Sequence, residues 1–518
     1  MEFCKSTLVF LSIISQCLLS STLEAEERES ISIYQAIELS LHNNAQLNIQ
    51  DKEREFAFQN VQVSESEFDI LVSGDVRYVK EKAPVPASPA IDQVDRQSDT
   101  HTFGIRKKVK LGATLAVELS TSGITEDYGL IGKDTSATTN LGVTLSVPLW
   151  KGRGKDNFIA DVAIAQLNHA ASQASYRDVK AMLILNTLSR YWVYRGALDS
   201  LTLLGESVER NNTLLARIEK LINNGERPRA DYGVVSALVS SRMATYLSGE
   251  RNLVLAKLQL SEIIGVPVTI ALDKDIPSTA LYSPVEDLLQ IDLAATGKLT
   301  KSLVNKRADY RSIKKMTSVA AKRVMQAKDN AKPELNFYVN ANTTRLGEHH
   351  SHVSALTGED YGPNWQVGLE FKWYPAETLS KANVEKAQIL YQQQQYAQHD
   401  LYRAITMNIQ AALFKVNQSI KQYKETVNRE VISRKNVDNE IRKLLSGDST
   451  ILDVTNIEES LVSASLERVK ALVEYNQNLS ILLYELGLLD LNHSNIKDEL
   501  MSLLNGQALP QWFAKHTN

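Results

Sequence analysis

Two long stretches of this chain contain no proline. Of its twelve prolines, none falls between Pro148 and Pro228 and none between Pro375 and Pro510. Proline inside a helix removes a backbone hydrogen bond and costs about 3 kcal/mol, so these stretches permit helices of exceptional length. Glycine is nearly as sparse there: only Gly196 and Gly205 lie between Gly154 and Gly225, and only Gly447, Gly487 and Gly506 between Pro375 and Pro510. Both stretches are rich in Ala, Leu, Gln, Glu, Lys and Arg, which are good helix formers. Apolar residues recur three and four apart, as in Leu185, Leu188 and Trp192, or Leu214, Leu215, Ile218, Leu221 and Ile222. That period is helical. A single helix over about residues 156–223 is predicted to run roughly 100 Å at 1.5 Å per residue. Helices of that length imply coiled-coil packing. Tyr191, Trp192 and Tyr194 are expected to pack between them.

Five other segments alternate with period two, the strand signal: residues 69–84, 102–121, 138–149, 334–345 and 364–374. In the last, Trp365, Val367, Leu369, Phe371 and Trp373 share one face, and Asn364, Gln366, Gly368, Glu370 and Lys372 the other. An apolar and a polar face suit a barrel wall between lipid and lumen; a half-buried soluble sheet alternates in the same way. The intervening residues 85–100, 122–137 and 346–363 read as loops. The last of these contains His349, His350 and His352. With no further ligand at regular spacing, they read as a solvated surface loop and not as a metal site. No apolar run in the body of the chain approaches the 18–20 residues or so that a spanning helix needs, so any membrane insertion must use strands.

The N-terminus reads as a secretory leader: Lys5, an apolar core from Thr7 to Leu19, then Ser20, Ser21 and Thr22, with cleavage expected between Ser21 and Ala25. Both cysteines, Cys4 and Cys17, fall inside it, which leaves the mature chain without thiols. Lipidation of Cys17 fits poorly, because Ile14-Ser15-Gln16 precedes it and Leu18-Leu19 extend the apolar core beyond it. The net charge of −4 and pI near 6.2 provide no basic footprint for nucleic acid.

The chain is also written twice. Gly225, Asp231 and Gly265 recur as Gly447, Asp453 and Gly487, 222 residues later, as do Val162 and Ala165 in Val384 and Ala387. Leu41-His42-Asn43 matches Leu303-Val304-Asn305 at 262, so the first half holds about 40 additional residues, roughly the segment 102–121 with its flanks. Each half reads as helix, strands, very long helix, glycine turn, long helix. Asp231 and Asp453, six residues past each turn glycine, are placed to cap the next helix and complement its dipole. One chain has four to six strands, fewer than the eight of the smallest barrel, so copies must pool them.

Three segments carry a family resemblance. Ile33–Leu47 (IYQAIELSLHNNAQL), Leu145–Gly152 (LSVPLWKG) and Gly447–Val454 (GDSTILDV) resemble, in order and spacing, the opening helix, the strand-to-helix passage and the second hairpin tip of the TolC-like outer membrane efflux protein family. The resemblance implies a mixed α and membrane β fold with two internal repeats. In it, a trimeric β-barrel of 12 strands or more is continuous with a long α-helical coiled-coil barrel. It implies residence in the bacterial outer membrane with extension into the periplasm. The implied partners are two further copies, a periplasmic adaptor, an inner-membrane pump and outer-membrane lipid, with neither nucleic acid nor cofactor. The division it implies is a leader 1–25, an opening helix 26–68, strands with the inserted hairpin 69–150, and a helical hairpin 151–265. A connecting segment 266–300 follows, then a second opening helix 301–333, strands 334–376, a hairpin 377–487 and a tail 488–518.

In the family the second tip can carry two aspartates ringing the entrance. Here Asp453 matches the first and Asn456 stands at the second. Asp453, Asn456 and Asp231 are therefore the entrance candidates, and Gly225, Arg227, Pro228 and Gly447 the adaptor-contact candidates. The family's bracing arginine is replaced by Ser449. The inserted run Arg106-Lys107-Lys108-Val109-Lys110 is awkward on a lipid face, where a mid-membrane Lys costs about 2–4 kcal/mol, and is expected at an interface or outside. Gly152-Arg153-Gly154-Lys155 is too short for a phosphate loop, and no metal motif or triad is evident, so no enzyme is expected. The alternative is a periplasmic structural or adaptor coiled coil without a pore.

Overall fold

In the computed structural model of the chain, residues 32–84, 93–110, 112–129, 132–266, 303–348 and 352–490 are described. The leader, the segment 266–300 apart from Val266, and the tail beyond Asp490 lie outside them, as do His349 and His350. The elements are α1 (Ile33–Asn43), α2 (Ala45–Glu65), β1 (Ile70–Pro84), β2 (Gln93–Val109), β3 (Ala113–Asp127) and β4 (Lys133–Pro148). Then come α3 (Lys155–Phe158), α4 (Ala160–Asn223), α5 (Ala230–Ile264), α6 (Ala308–Asn330) and β5 (Glu334–Glu348). The second half closes with α7 (His352–Thr357), β6 (Glu359–Asp360), β7 (Asn364–Lys372), α8 (Thr378–Ser446) and α9 (Ile451–Glu485). The chain divides into two compact units: Asp51–Ser175 with Asp309–Leu401, and the described residues of Met1–Gln50, Tyr176–Ala308 and Tyr402–Asn518.

The first unit holds one antiparallel sheet in the order β1-β2-β3-β4-β5, with β7 on β5 and the two-residue β6 beside it. Sequence reading joined residues 102–121 into one segment, but the chain turns back within it. Gly112, at φ 101°, closes the reversal by donating to the Val109 carbonyl at 2.9 Å. Much of 93–100 and 122–137, read as loop from its Ser, Asp and Thr content, is strand. Residues 95–100 and 122–127 pair with a strand on each side, and polar side chains among them meet across the sheet. Arg96 shows this: it bridges Glu81 on β1 at 3.3 Å and Glu126 on β3 at 2.6 Å.

Cross-strand register sorts the sheet into two faces. One carries Val72, Ile105, Val117, Val143, Ala341 and Trp365 in a single row, with Ile70, Leu115, Leu145, Val339 and Val367 in an adjacent row. These side chains are largely exposed, Trp365 at 77% and Val367 at 51%. The opposite face carries Thr102, Ser120, Asn140 and Thr344 in one row and Gly104, Glu118, Gly142, Asn342 and Asn364 in the next. There Asn340 donates to Thr144 at 2.7 Å and Asn342 to Asn140 at 3.1 Å.

At the sheet end from which the helices leave, Asp329 of α6 ties down the exit of β4. It accepts from the Gly152 backbone N–H at 2.7 Å and from Asn157 at 3.0 Å, and pairs with Lys332 at 2.7 Å. The helix expected over 156–223 is interrupted at Ile159, whose φ of −102° and ψ of 18° leave the helical range, and resumes as α4 at Ala160.

The second unit is helical. Helix α1 opens on a reciprocal Ser32–Gln35 capping box. Ile37, Ile184, Leu188, Trp192, Leu260, Ile264, Tyr475 and Leu479 are almost completely buried, each side chain contributing about 1.5–3 kcal/mol of transfer free energy. Tyr191, Trp192 and Tyr194 are buried as expected, with ring edges meeting faces. Buried polar groups are tied together: Thr187 donates to Ser40 at 3.0 Å, and Glu458 accepts from Arg210 and Ser207 at 3.0 and 3.3 Å.

Candidate functional site

The two glycine turns of the helical unit are built alike. After α4, Gly225 stands at φ 80°, and the next N–H, that of Glu226, reaches back to the Leu221 carbonyl at 2.8 Å. After α8, Gly447 stands at φ 88°, and Asp448 reaches the Lys443 carbonyl at 2.9 Å. This six-to-one closure requires a left-handed residue. A Cβ at either glycine would meet nothing within 4 Å, so backbone conformation alone demands glycine and both turns are open to solvent.

The turns meet over one core of Leu214, Ile218, Val235, Leu444, Ile451 and Val454. Arg227 lies across it, 19% exposed in its side chain. Its guanidinium donates to the Leu444 carbonyl at 2.8 Å and the Ser449 carbonyl at 3.5 Å, and reaches Asp231 at 3.7 Å. Arg227, named from sequence only for its position at a tip, thus ties the first tip to the second. Neither periodicity nor spacing announced this, because the acceptors are main-chain carbonyls 217 and 222 residues away. Asp231 sits in the first turn of α5, where it complements the helix dipole. It faces Arg227 and makes no side-chain cap, the N-cap position being Arg229. Pro228 is exposed, and its carbonyl accepts from the Asp231 N–H at 3.1 Å.

Asp453 is in the repeat-related place with different bonds. It forms a reciprocal capping box with Thr450: its N–H donates to Thr450 Oγ1 at 3.2 Å, while its carboxylate accepts from the Thr450 N–H at 3.2 Å and hydroxyl at 2.6 Å. The hydroxyl bond first, then the backbone bond, holds the Asp453 carboxyl below the usual carboxylate range. Asn456, three residues on, is also exposed, on the same side of the helix. Nearby, Glu440 accepts from Ser449 at 2.6 Å and pairs with Lys443 at 3.2 Å, which lowers its pKa in that order of effect. Among the described residues, no group of three or more His, Cys, Asp or Glu is arranged to hold a metal ion.

A sheet with one exposed apolar face and one polar face, joined to paired long helical hairpins, defines the fold class of outer-membrane channels. The outer membrane protein VceC of Vibrio cholerae is 15% identical, with 88% of this chain and 96% of that one covered at a TM-score of 0.63. The outer-membrane channel OprN is 14% identical, covering 88% and 89% at 0.63. The open-state MtrE outer-membrane channel of Neisseria gonorrhoeae is 16% identical, covering 89% and 94% at 0.60. No curated protein matches the chain. Residues 110–266 match the family model described as Outer membrane efflux protein. The chain thus shares the fold of these proteins over 88–89% of its length and the sequence pattern of the outer membrane efflux protein family over residues 110–266, the family its motifs resemble.

Proposed function

We propose that three copies of this chain form an exit duct through the bacterial outer membrane, with the strands spanning the bilayer and the helical hairpins reaching into the periplasm. The carrying observation is the sheet: an exposed row of Val, Ile, Leu and Trp on one face and hydrogen-bonded Asn and Thr on the other. That is the alternation of a wall with lipid outside and water inside, and it gives a soluble coiled coil no advantage. Among the described residues, no helix is long and apolar enough to cross a membrane. Solutes pass without chemical change.

The tips are the entrance. They meet a periplasmic adaptor that connects the duct to an inner-membrane pump, as part of a tripartite efflux or type I secretion system. Gly225, Pro228 and Gly447 are its exposed contact positions, and Arg227 holds the two tips of each chain together. Three Asp453 carboxylates ring the axis and favour cations; Asn456 in place of a second acid halves the ring's charge. Purified mature protein in planar bilayers is expected to give cation-preferring conductance steps. A stable three-copy protein that never conducts and fractionates with soluble periplasm would overturn the proposal.

A further inference from the structure

The about 40 residues by which the first half exceeds the second contain β2 and β3, which form a full part of the sheet. β2 pairs with β1 over fifteen positions, from Ile70–Lys107 to Pro84–Gln93, and β3 pairs with β4 from Thr114–Ser146 to Asp127–Lys133. The hairpin therefore does not lie beside the wall. It separates β1 from β4 and continues both faces. Ile105 and Val117 fall in the row of Val72 and Val143, and all four are exposed. Thr102 and Ser120 fall in the polar row with Asn140.

The cationic run is accommodated by the same alternation. Arg106 and Lys108 point to the polar face, where Lys108 pairs with Glu67 at 2.5 Å. Lys110 lies in the turn, 5.7 Å from the Phe68 ring centroid. Only Lys107 is on the apolar face, one row from the end where the helices leave, close enough for its amine to snorkel to the interface.

Among the described residues, nothing pairs with the outer edge of β1 or of β7. β1 is fifteen residues long and exposed on both faces as far as its side chains are described. A long open edge of this kind is a ready template for pairing with another chain. β1 runs away from the helical end and β7 runs back toward it, so β1 of one copy meets β7 of the next antiparallel, and the closed ring has no mismatched pair. One copy, with its six long strands, falls short of the eight needed for closure.

We propose that the β2–β3 hairpin is part of the membrane wall, so that each copy contributes six strands and three copies close an 18-stranded barrel through β1–β7 contacts. The proposal rests on the three-copy duct reading above. Barrel diameter grows roughly linearly with strand number, so this lumen is about half as wide again as a 12-stranded one. It suits polar solutes bulkier than a 12-stranded wall admits.

The test uses single cysteines in the full-length chain with Cys4 and Cys17 changed to Ser. Ile105→Cys and Val117→Cys probe the hairpin, with Val143→Cys and Val367→Cys as wall controls. Each carries a fluorophore in proteoliposomes containing brominated lipid. Hairpin positions are expected to be quenched as strongly as the controls, while Thr102→Cys and Ser120→Cys stay unquenched and react with a charged maleimide. Unquenched hairpin positions with quenched controls overturn the proposal and leave the duct reading intact; unquenched controls overturn both. The detergent-solubilised assembly is expected to have three-copy mass, and Val72→Cys combined in turn with Trp365→Cys, Val367→Cys or Leu369→Cys is expected to give oxidative cross-links between copies for at least one pair. A two-copy mass, or no cross-link in any pair, refutes the 18-stranded count.

Discussion

Replacing each of two repeat-related glycines by alanine should have unequal consequences. Gly265 ends α5 at φ 68°, and Gly487 follows α9 at φ 71°. A side chain in this left-handed region costs about 1–2 kcal/mol at either place. The surroundings differ. A Cβ at Gly265 would come within 2.7 Å of Asn43 Cβ, whereas at Gly487 the nearest atoms, from Lys306 and Arg307, stand at 3.7 Å. The atom struck at Asn43 is next to the main chain and cannot swing aside. Its side chain is further fixed by donating to the Ile264 carbonyl at 3.1 Å. Overpacking adds about 1–3 kcal/mol, and loss of that hydrogen bond about 1 kcal/mol more. Gly265→Ala is therefore expected to cost roughly 3–6 kcal/mol, against about 1–2 kcal/mol for Gly487→Ala. The assay is guanidinium unfolding of the detergent-solubilised protein followed by far-ultraviolet circular dichroism, comparing midpoints at unchanged slope. Asparagine tolerates the left-handed region, so Gly487→Asn should recover most of its loss and Gly265→Asn should not. Equal midpoint losses for the two alanine variants would refute the reasoning, because the backbone term would then account for everything.

The remaining predictions concern the tips and the buried charges of the helical unit. Arg227→Gln removes the guanidinium that bonds Leu444 and Ser449 carbonyls and faces Asp231; the open probability in planar bilayers should rise, and unchanged gating would remove Arg227 as a brace. Thr450→Ala breaks the capping box of α9 and should cost about 1 kcal/mol, read as a lower thermal midpoint. Glu430 is buried between α8 and α9; burial raises its pKa, but Arg468 above all, then Ser465 and Arg434, hold it below the usual range. A depressed carboxyl contributes stability above its unfolded value, about 4.3, and that stability is lost as pH falls through the folded value. Wild type should therefore exceed Glu430→Gln in unfolding midpoint near neutral pH, with the gap closing under acid; a gap constant across pH contradicts the assignment.

The helices were legible because their signal is local. A missing proline and an apolar residue every third or fourth position are visible in any window, and the glycine pairs mark where each run ends. The inserted strands were only half legible. The segment 95–100, rich in polar residues, looks like loop by composition, yet it is strand because β1 and β3 flank it. On a sheet face where polar side chains bond one another, polar residues satisfy a strand as well as a turn. The Gly112 reversal was hidden for a related reason: the alternation continues on both sides of it, so no break in pattern marks the turn. The Arg227 brace and the Glu430 and Glu458 ion pairs were illegible, since each depends on which helix faces which.

The capping and electrostatic roles of Asp453, set against each other when only the sequence is considered, reinforce each other in the structure. A carboxylate that accepts from the Thr450 N–H and hydroxyl is stabilised in its ionised form, so the bonds that start α9 also keep the charge in place. The first turn of a helix adds to this, being favourable for an anion. Asp231 differs: it lies opposite Arg227, and a carboxylate beside a guanidinium contributes little net field at a distance. In the proposed duct, the second of the two repeat-related aspartates supplies the entrance charge and the first helps to hold the tips. Asp453→Asn should consequently reduce cation preference in bilayers, while Asp231→Asn should change gating more than selectivity. The opposite pattern would mean that the two repeats have exchanged these roles.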